Sequence, residues 1–491
     1  MPKRPVLLLL GAALLAAAPA AAQTADTVWS ELYLRDLAEA RRIIAEDHPG
    51  PVDTLNPAFA RQLGAAYADA VARAPLVRDY DSFAIALQMF GTRFQDAHLN
   101  VGGRRQAGAV REAGIYPRYV DRRLVVAHAD GVYGARVHPG ARIVDCDGEP
   151  ALELFERRVL SWRGRDGIVA DRYTWAPLLL VDYGPPTPAA PTACRFVSDG
   201  DTARVQLQWR SAPRADVSAS VARASGFPEQ TLSLRRVGDA LWVELATFGV
   251  RGEAEIGAMN HVLDTLAAEL RSGAPTALVV LDLRGNSGGS SSWGDRFAAT
   301  LFGADWQQAA RAWLSDGVYT EWRVSADNLR AIGELVRQVE ERGDDATFLR
   351  VLRDSLTAAQ ARGEPLVLNP GSSARRTGVE RPRPSDVPFR VVAVTSASCF
   401  SACLDFMDLL RLHPAVTHVG QPTGVDTDYM ENWGWTLPSG AAGVGYPMKV
   451  YRNRRRANNE GYTPHVARDD IYDTRALEHW ILSERARWTA R

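Results

Sequence analysis

An uninterrupted apolar run, Ala277-Leu278-Val279-Val280-Leu281, leads straight into Asp282-Leu283-Arg284-Gly285-Asn286-Ser287-Gly288-Gly289 and then a helix-like segment from Ser292 to Phe302. Such a run reads as a buried strand. Glycines at the strand's end leave bare backbone N–H groups at the sheet edge, where they can hold an anion or a developing oxyanion. A second strand-to-helix turn, Val391 through Cys403, offers serines in the same kind of position. Two such turns in one chain point to acyl transfer rather than to a binding module.

The 491 residues exceed one ordinary core, so two or three domains are expected. With 46% hydrophobic and 23% charged residues the composition is that of a soluble globular protein. A net charge of −1 gives no bulk attraction for nucleic acid. One dense basic run, Arg452-Asn453-Arg454-Arg455-Arg456, reads as a solvated loop, with a docking patch for an anionic substrate as the alternative.

Lys3 and Arg4, the apolar stretch Val6 to Ala18 and the small residues Ala20-Ala21-Ala22 have the form of a cleaved signal peptide, residues 1–22. No later segment is long enough to cross a bilayer, so a periplasmic or secreted protein without an integral membrane segment is expected. An exported chain permits disulfides. Cys146 and Cys194 share a β-rich region, and Cys399 and Cys403 stand four apart around Ser401; each pair can bond or simply pack. Neither a CxxC nor a Cys/His cluster at zinc spacing is present, so no metal and no cofactor is called for.

Along the chain the pattern changes three times. Helical periodicity dominates residues 23–105, and short strands broken by turn residues fill 106–215. From 216 to 491 strands and helices alternate as in an α/β core, interrupted at about 305–386 by a charged, mostly helical insertion.

Several of these stretches together resemble the tail-specific (C-terminal processing) and tricorn-type serine peptidases. They are Asp282 to Gly289, Ser401-Ala402-Cys403-Leu404, Gly420-Gln421-Pro422-Thr423-Gly424 and Asp96-Ala97-His98. Pro139 to Ala151 is similar to part of a PDZ domain. The resemblance implies a multidomain α/β chain: a ClpP/crotonase-like catalytic core, an N-terminal helical domain and a PDZ-like β-rich domain. It also implies hydrolysis of peptide bonds in peptides or unfolded proteins, and leaves the oligomeric state open.

Ser396, Ser398 and Ser401 are all placed to be the nucleophile. The family pattern selects Ser401, at the expected distance before Gly420-Gln421-Pro422-Thr423, although Leu404 stands where the family has glutamate. A serine opening a helix also gains from the dipole, although the same position suits a plain N-cap. The tail-specific branch has a lysine base shortly after Pro-Thr, but here that place is Asp426. The tricorn-type branch uses a histidine from an earlier helix end, which His98 matches; a neutral imidazole has suitable basicity near pH 7. Glu460 is the acidic partner the resemblance implies, with Asn458 in the same place or Asp96 as a helper as the other options. The amides of Gly288 and Ala402 are the expected oxyanion donors. An inactive relative serving as a ligand- or peptide-binding scaffold is the alternative to an enzyme.

Overall fold

The computed structural model describes residues 18–104, 108–226 and 231–489. The expected signal peptide, 1–22, lies almost wholly outside the described residues. Four sheets and the helices around them make a mixed α/β fold.

The sheet that carries the two glycine- and serine-bearing turns runs Leu232–Val237, Ala240–Leu245, Leu278–Asp282, Arg390–Thr395, Val416–Gly420, Val466–Ala467. Its first two strands form an antiparallel hairpin, and every later neighbour is parallel. All five residues of Leu278–Asp282 are buried, as the continuous apolar run requires. Alternation divides them between two cores. Val279 and Leu281 pack with Met259, Leu266, Phe297 and Phe406 from three helices on one face. Leu278 and Val280 pack with Trp242, Val392, Val394 and the C-terminal Leu477 and Ile481 on the other. A sheet covered in this way opens only at its strand ends, and the carboxyl ends of parallel strands are where open α/β sheets bind ligands.

Residues of the middle region form an antiparallel sheet of Ile115–Val120, Arg123–Ala129, Arg142–Cys146, Ala193–Ser198 and Asp201–Gln206 around a core of their own. Cys146 and Cys194 are directly opposed on neighbouring strands and are bonded.

The N-terminal helices and the 305–386 insertion are far apart in sequence yet share one core. Leu37, Ile44, Phe83 and Leu87 pack with Ile332 and Leu356 of the insertion and with Tyr446 and Met448 near the C-terminus. The long strand Ala442–Arg452 joins them. It pairs antiparallel with Asn100–Gly103, Tyr319–Arg323 and Tyr429–Thr436. Through this sheet the strand that follows His98 is tied to the insertion and to the C-terminal part of the chain.

Candidate active site

At the end of Leu278–Asp282 the chain turns under a buried ion pair. Asp282 accepts from Arg284 through both oxygens, Nε–Oδ1 2.8 Å and Nη2–Oδ2 2.6 Å. Arg284 also donates to Thr474 Oγ1 at 3.0 Å, tying the turn to the C-terminal helix. Asn286, fully buried, bridges outward: its Nδ2 donates to the Leu245 carbonyl and its Oδ1 accepts from the Gly288 amide, each at 2.9 Å. Nothing in the sequence reading singled out Asn286; an amide in a glycine-rich turn was the available signal.

Two glycines then lie against other backbone. Gly288 has φ +96°, and a Cβ there would sit 2.6 Å from the Phe400 carbonyl and 2.8 Å from Ser401 Cβ. Gly289, at φ +135°, would collide with Phe248. Only glycine permits both the left-handed backbone and the approach. The expected bare amide at Gly288 is therefore in contact with the serine turn, but its N–H is taken by Asn286. The neighbouring Gly289 amide donates to no acceptor among the described residues.

Ser401 ends the second turn and caps the helix Ala402–Leu410. Its backbone lies at φ 55°, ψ −123°, a conformation sparsely populated by residues other than glycine. The side chain makes no capping bond. The N-cap explanation of this serine thus fails, and its hydroxyl has no hydrogen-bond partner among the described residues. Ser396, by contrast, is fully buried and its Oγ accepts from the amides of Gly285 and Ser398. The Ala402 amide, at the first helical position, has no intrahelical acceptor. A disulfide joins Cys399 to Cys403 around Ser401, with both cysteines buried.

His98 reaches this turn from the N-terminal part of the chain. Its ring lies 4.6 Å from that of Phe400, centroid to centroid, tilted by 38°. The residue is buried, with Nδ1 lacking a partner. Its main chain is held at both ends: the amide donates to Asp96 Oδ1 at 2.8 Å and the carbonyl accepts from Asn432 Nδ2 at 3.2 Å. Asp96 is buried beside His48, whose Nε2 stands 3.7 Å from Asp96 Oδ2 while its Nδ1 accepts from the Gly50 amide. Burial alone would raise the Asp96 carboxyl, but His48 and the neighbouring His98 hold it below the ordinary range.

The acid candidates divide differently. Glu460 is exposed, and its carboxylate accepts from the Ala457 amide of its own turn at 2.6 Å. Its backbone nevertheless bridges Asp426. Asp426 is fully buried with Oδ2 unpartnered, and burial pushes its carboxyl up against the opposing pull of Arg456, Arg454 and His98. Asn459, whose amide donates to the Asp426 carbonyl, donates through Nδ2 to the Gln95 carbonyl at 3.2 Å and leaves Oδ1 buried and unpaired.

The Arg452–Arg456 run is solvated only in part: Asn453 and Arg455 are exposed, but its two ends are buried. Arg452 is buried against Asp53 and Glu321, and Arg456 against Asp405, Asp408 and Asp426. Buried cations need such partners, and these acids lie scattered along the sequence, so the run by itself gave no sign of them. Among the described residues no group of three or more His, Cys, Asp or Glu is placed to hold a metal ion. No helix among them is long and apolar enough to cross a membrane.

An unbonded serine hydroxyl in a strained turn, a free amide at Ala402 and an imidazole against the preceding residue are parts that nucleophilic acyl chemistry uses, and no hydrogen bond joins the imidazole to the hydroxyl. No protein-family model and no curated protein matches the sequence. Solved structures do. The fold is similar to that of mature CPAF, at 12% identity over 94% of this chain and 97% of that one, with a TM-score of 0.62. It is similar also to mature CPAF complexed with lactacystin, at 12% identity over 94% and 98% of the two chains and a TM-score of 0.60. The tricorn protease matches at 12% identity over 93% of this chain and 37% of that one, but its TM-score of 0.37 is too low for a shared architecture. The resemblance carried by the motifs thus extends to a likeness of the whole fold.

Proposed function

We propose that this chain is an exported serine-type endopeptidase that cleaves peptides or unfolded proteins through an acyl-enzyme, with Ser401 as nucleophile and His98 as general base. The observation that carries the reading is the contact of the His98 imidazole with Phe400, the residue before a serine whose hydroxyl is otherwise unused. The imidazole takes the Ser401 proton as Oγ attacks the scissile carbonyl, then returns it to the leaving amine. The oxyanion is met by the Ala402 amide and by the Gly288–Gly289 backbone, where Gly288 contributes its own N–H only on leaving Asn286. Glu460 is the acidic partner that orients the imidazole, with the buried Asp426 carboxyl, which interacts electrostatically with His98, as the rival acid. The core is ClpP/crotonase-like, and the PDZ-like region presents a strand edge to which an extended peptide can add. The residues call on no cofactor.

Labelling with a fluorophosphonate probe and hydrolysis of a casein substrate test this reading. Unaltered protein should do both and Ser401→Ala neither, with an unchanged circular dichroism spectrum. Glu460→Gln and Asp426→Asn, compared in the same assay, identify the acid that matters. Absence of labelling in the unaltered protein would overturn the proposal in favour of a binding scaffold on the same fold.

A further inference from the structure

Away from Ser401, the helices Tyr80–Thr92 and Arg214–Ser225 and the strand Asn100–Gly103 surround a cavity of about 430 Å³. Arg163 lines it, and its surroundings are unusual for a cation. The guanidinium carbon lies over two indoles, 5.0 Å from the centroid of the Trp162 ring and 4.9 Å from that of Trp175. Indole rings attract a guanidinium but offer it no hydrogen-bond acceptor, so its N–H donors must find partners elsewhere. One does: Nη1 donates to Gln88 Oε1 at 3.3 Å. Nε is buried with none.

No carboxylate among the described residues pairs with Arg163. Burial lowers its pKa, and Tyr183 alone works in the opposite direction. The other arginine of the cavity, Arg214, is matched by Asp81, although its Nε too is buried and unpartnered. The cavity therefore holds one cation more than its acids balance. Leaving a buried charge unpaired is costly, and an anion that enters removes that cost. The remaining walls include the apolar Ile85, Val110, Leu178 and Val217. The volume is in the range of small-ligand sites.

We propose that this cavity binds an organic carboxylate with an apolar body, its anion received by the edge of Arg163 and flanked by Tyr183 and Arg214. The site is separate from Ser401 and does not depend on the peptidase reading. Its ligand is a free organic acid or the carboxylate of a peptide; both present the same group to Arg163.

Because Trp162 and Trp175 touch Arg163, tryptophan fluorescence of the full chain reports occupancy. Phenylacetate and phenylacetamide are titrated in parallel, as are an N-acetylated dipeptide ending in phenylalanine and its C-terminal amide. The acids should give a saturable change and the amides bind at least about tenfold more weakly, the least expected from losing a charged hydrogen bond. Saturation by phenylacetate identifies the free acid as sufficient; saturation by the peptide acid alone identifies the peptide. Arg163→Gln should weaken either acid by a similar factor. Equal binding of acids and amides, no saturation by either acid, or undiminished binding to Arg163→Gln would overturn the proposal. If Arg163→Gln does not fold, the acid-against-amide comparison on the unaltered protein decides alone.

Discussion

The imidazole of His98 rests against the ring of Phe400, 4.6 Å between centroids, so a residue from the first fifth of the chain lies beside the turn that carries Ser401. The contact is side chain to side chain, and in the proposed mechanism Phe400 is the spacer beside the base. Phe400→Ala should lower kcat for casein hydrolysis by about tenfold or more with little change in KM, since misplacing a base by about 1 Å costs up to about 100-fold. Steady-state kinetics on the variant check this; an unchanged kcat would mean that the ring does not position the base.

Gly288 bears on the same turn from the other side. An added methyl would meet the Phe400 carbonyl and Ser401 Cβ at under 3 Å, on a backbone with positive φ. Gly288→Ala should abolish fluorophosphonate labelling and destabilise the fold by about 1–3 kcal/mol. Labelling and a thermal melt read the two effects separately.

The Cys399–Cys403 bond closes a loop of three residues around a serine in a sparsely populated conformation. Both cysteines are buried, so alanines fill their places without exposing polar surface. The Cys399→Ala/Cys403→Ala double variant should fold yet lose about 10- to 100-fold in kcat as the turn relaxes. Casein kinetics beside a melting curve show whether activity falls further than stability.

Acid should destabilise the central sheet through His418. Its Nδ1 accepts from Arg411 at 3.1 Å, so Nε2 carries the proton toward Thr395 Oγ1 at 2.6 Å, and Thr395 in turn donates to the Gln421 carbonyl. Burial, with Arg411 and His465 adding to it, pushes the His418 pKa down to about 3 from 6.5. The unfolded chain therefore binds the extra proton between those values and the folded chain does not. The stability contributed by neutral His418 is complete above pH 6.5 and is lost as pH falls toward 3. Melting curves of His418→Gln should show a shallower fall across that window than the unaltered protein.

Local patterns were legible in the sequence, and long-range ones were not. The parallel strand Leu278–Asp282 and the glycine turn after it announced themselves because burial on both faces and positive φ each leave a residue-level mark. Ser401 stood out from Ser396 and Ser398 through family spacing; what separates it physically from Ser396, the Gly285 amide that occupies the Ser396 hydroxyl, belongs to tertiary structure. Charge partners were beyond reach for the same reason. Nothing in Arg452 to Arg456 says that Asp53, Glu321, Asp405 and Asp408 will converge on it. Likewise the insertion reads as an appendage in sequence, although Trp322, Ile332 and Leu356 are core to the N-terminal helices.

The pairing of Asn100–Gly103 with Ala442–Gly445 has a consequence for timing. A ribosome makes Asn100–Gly103, just after His98, early and Ala442–Arg452 late, so for most of synthesis that first strand has no partner. Any chain that stops short of residue 442 would leave the strand that follows His98 with an unpaired edge.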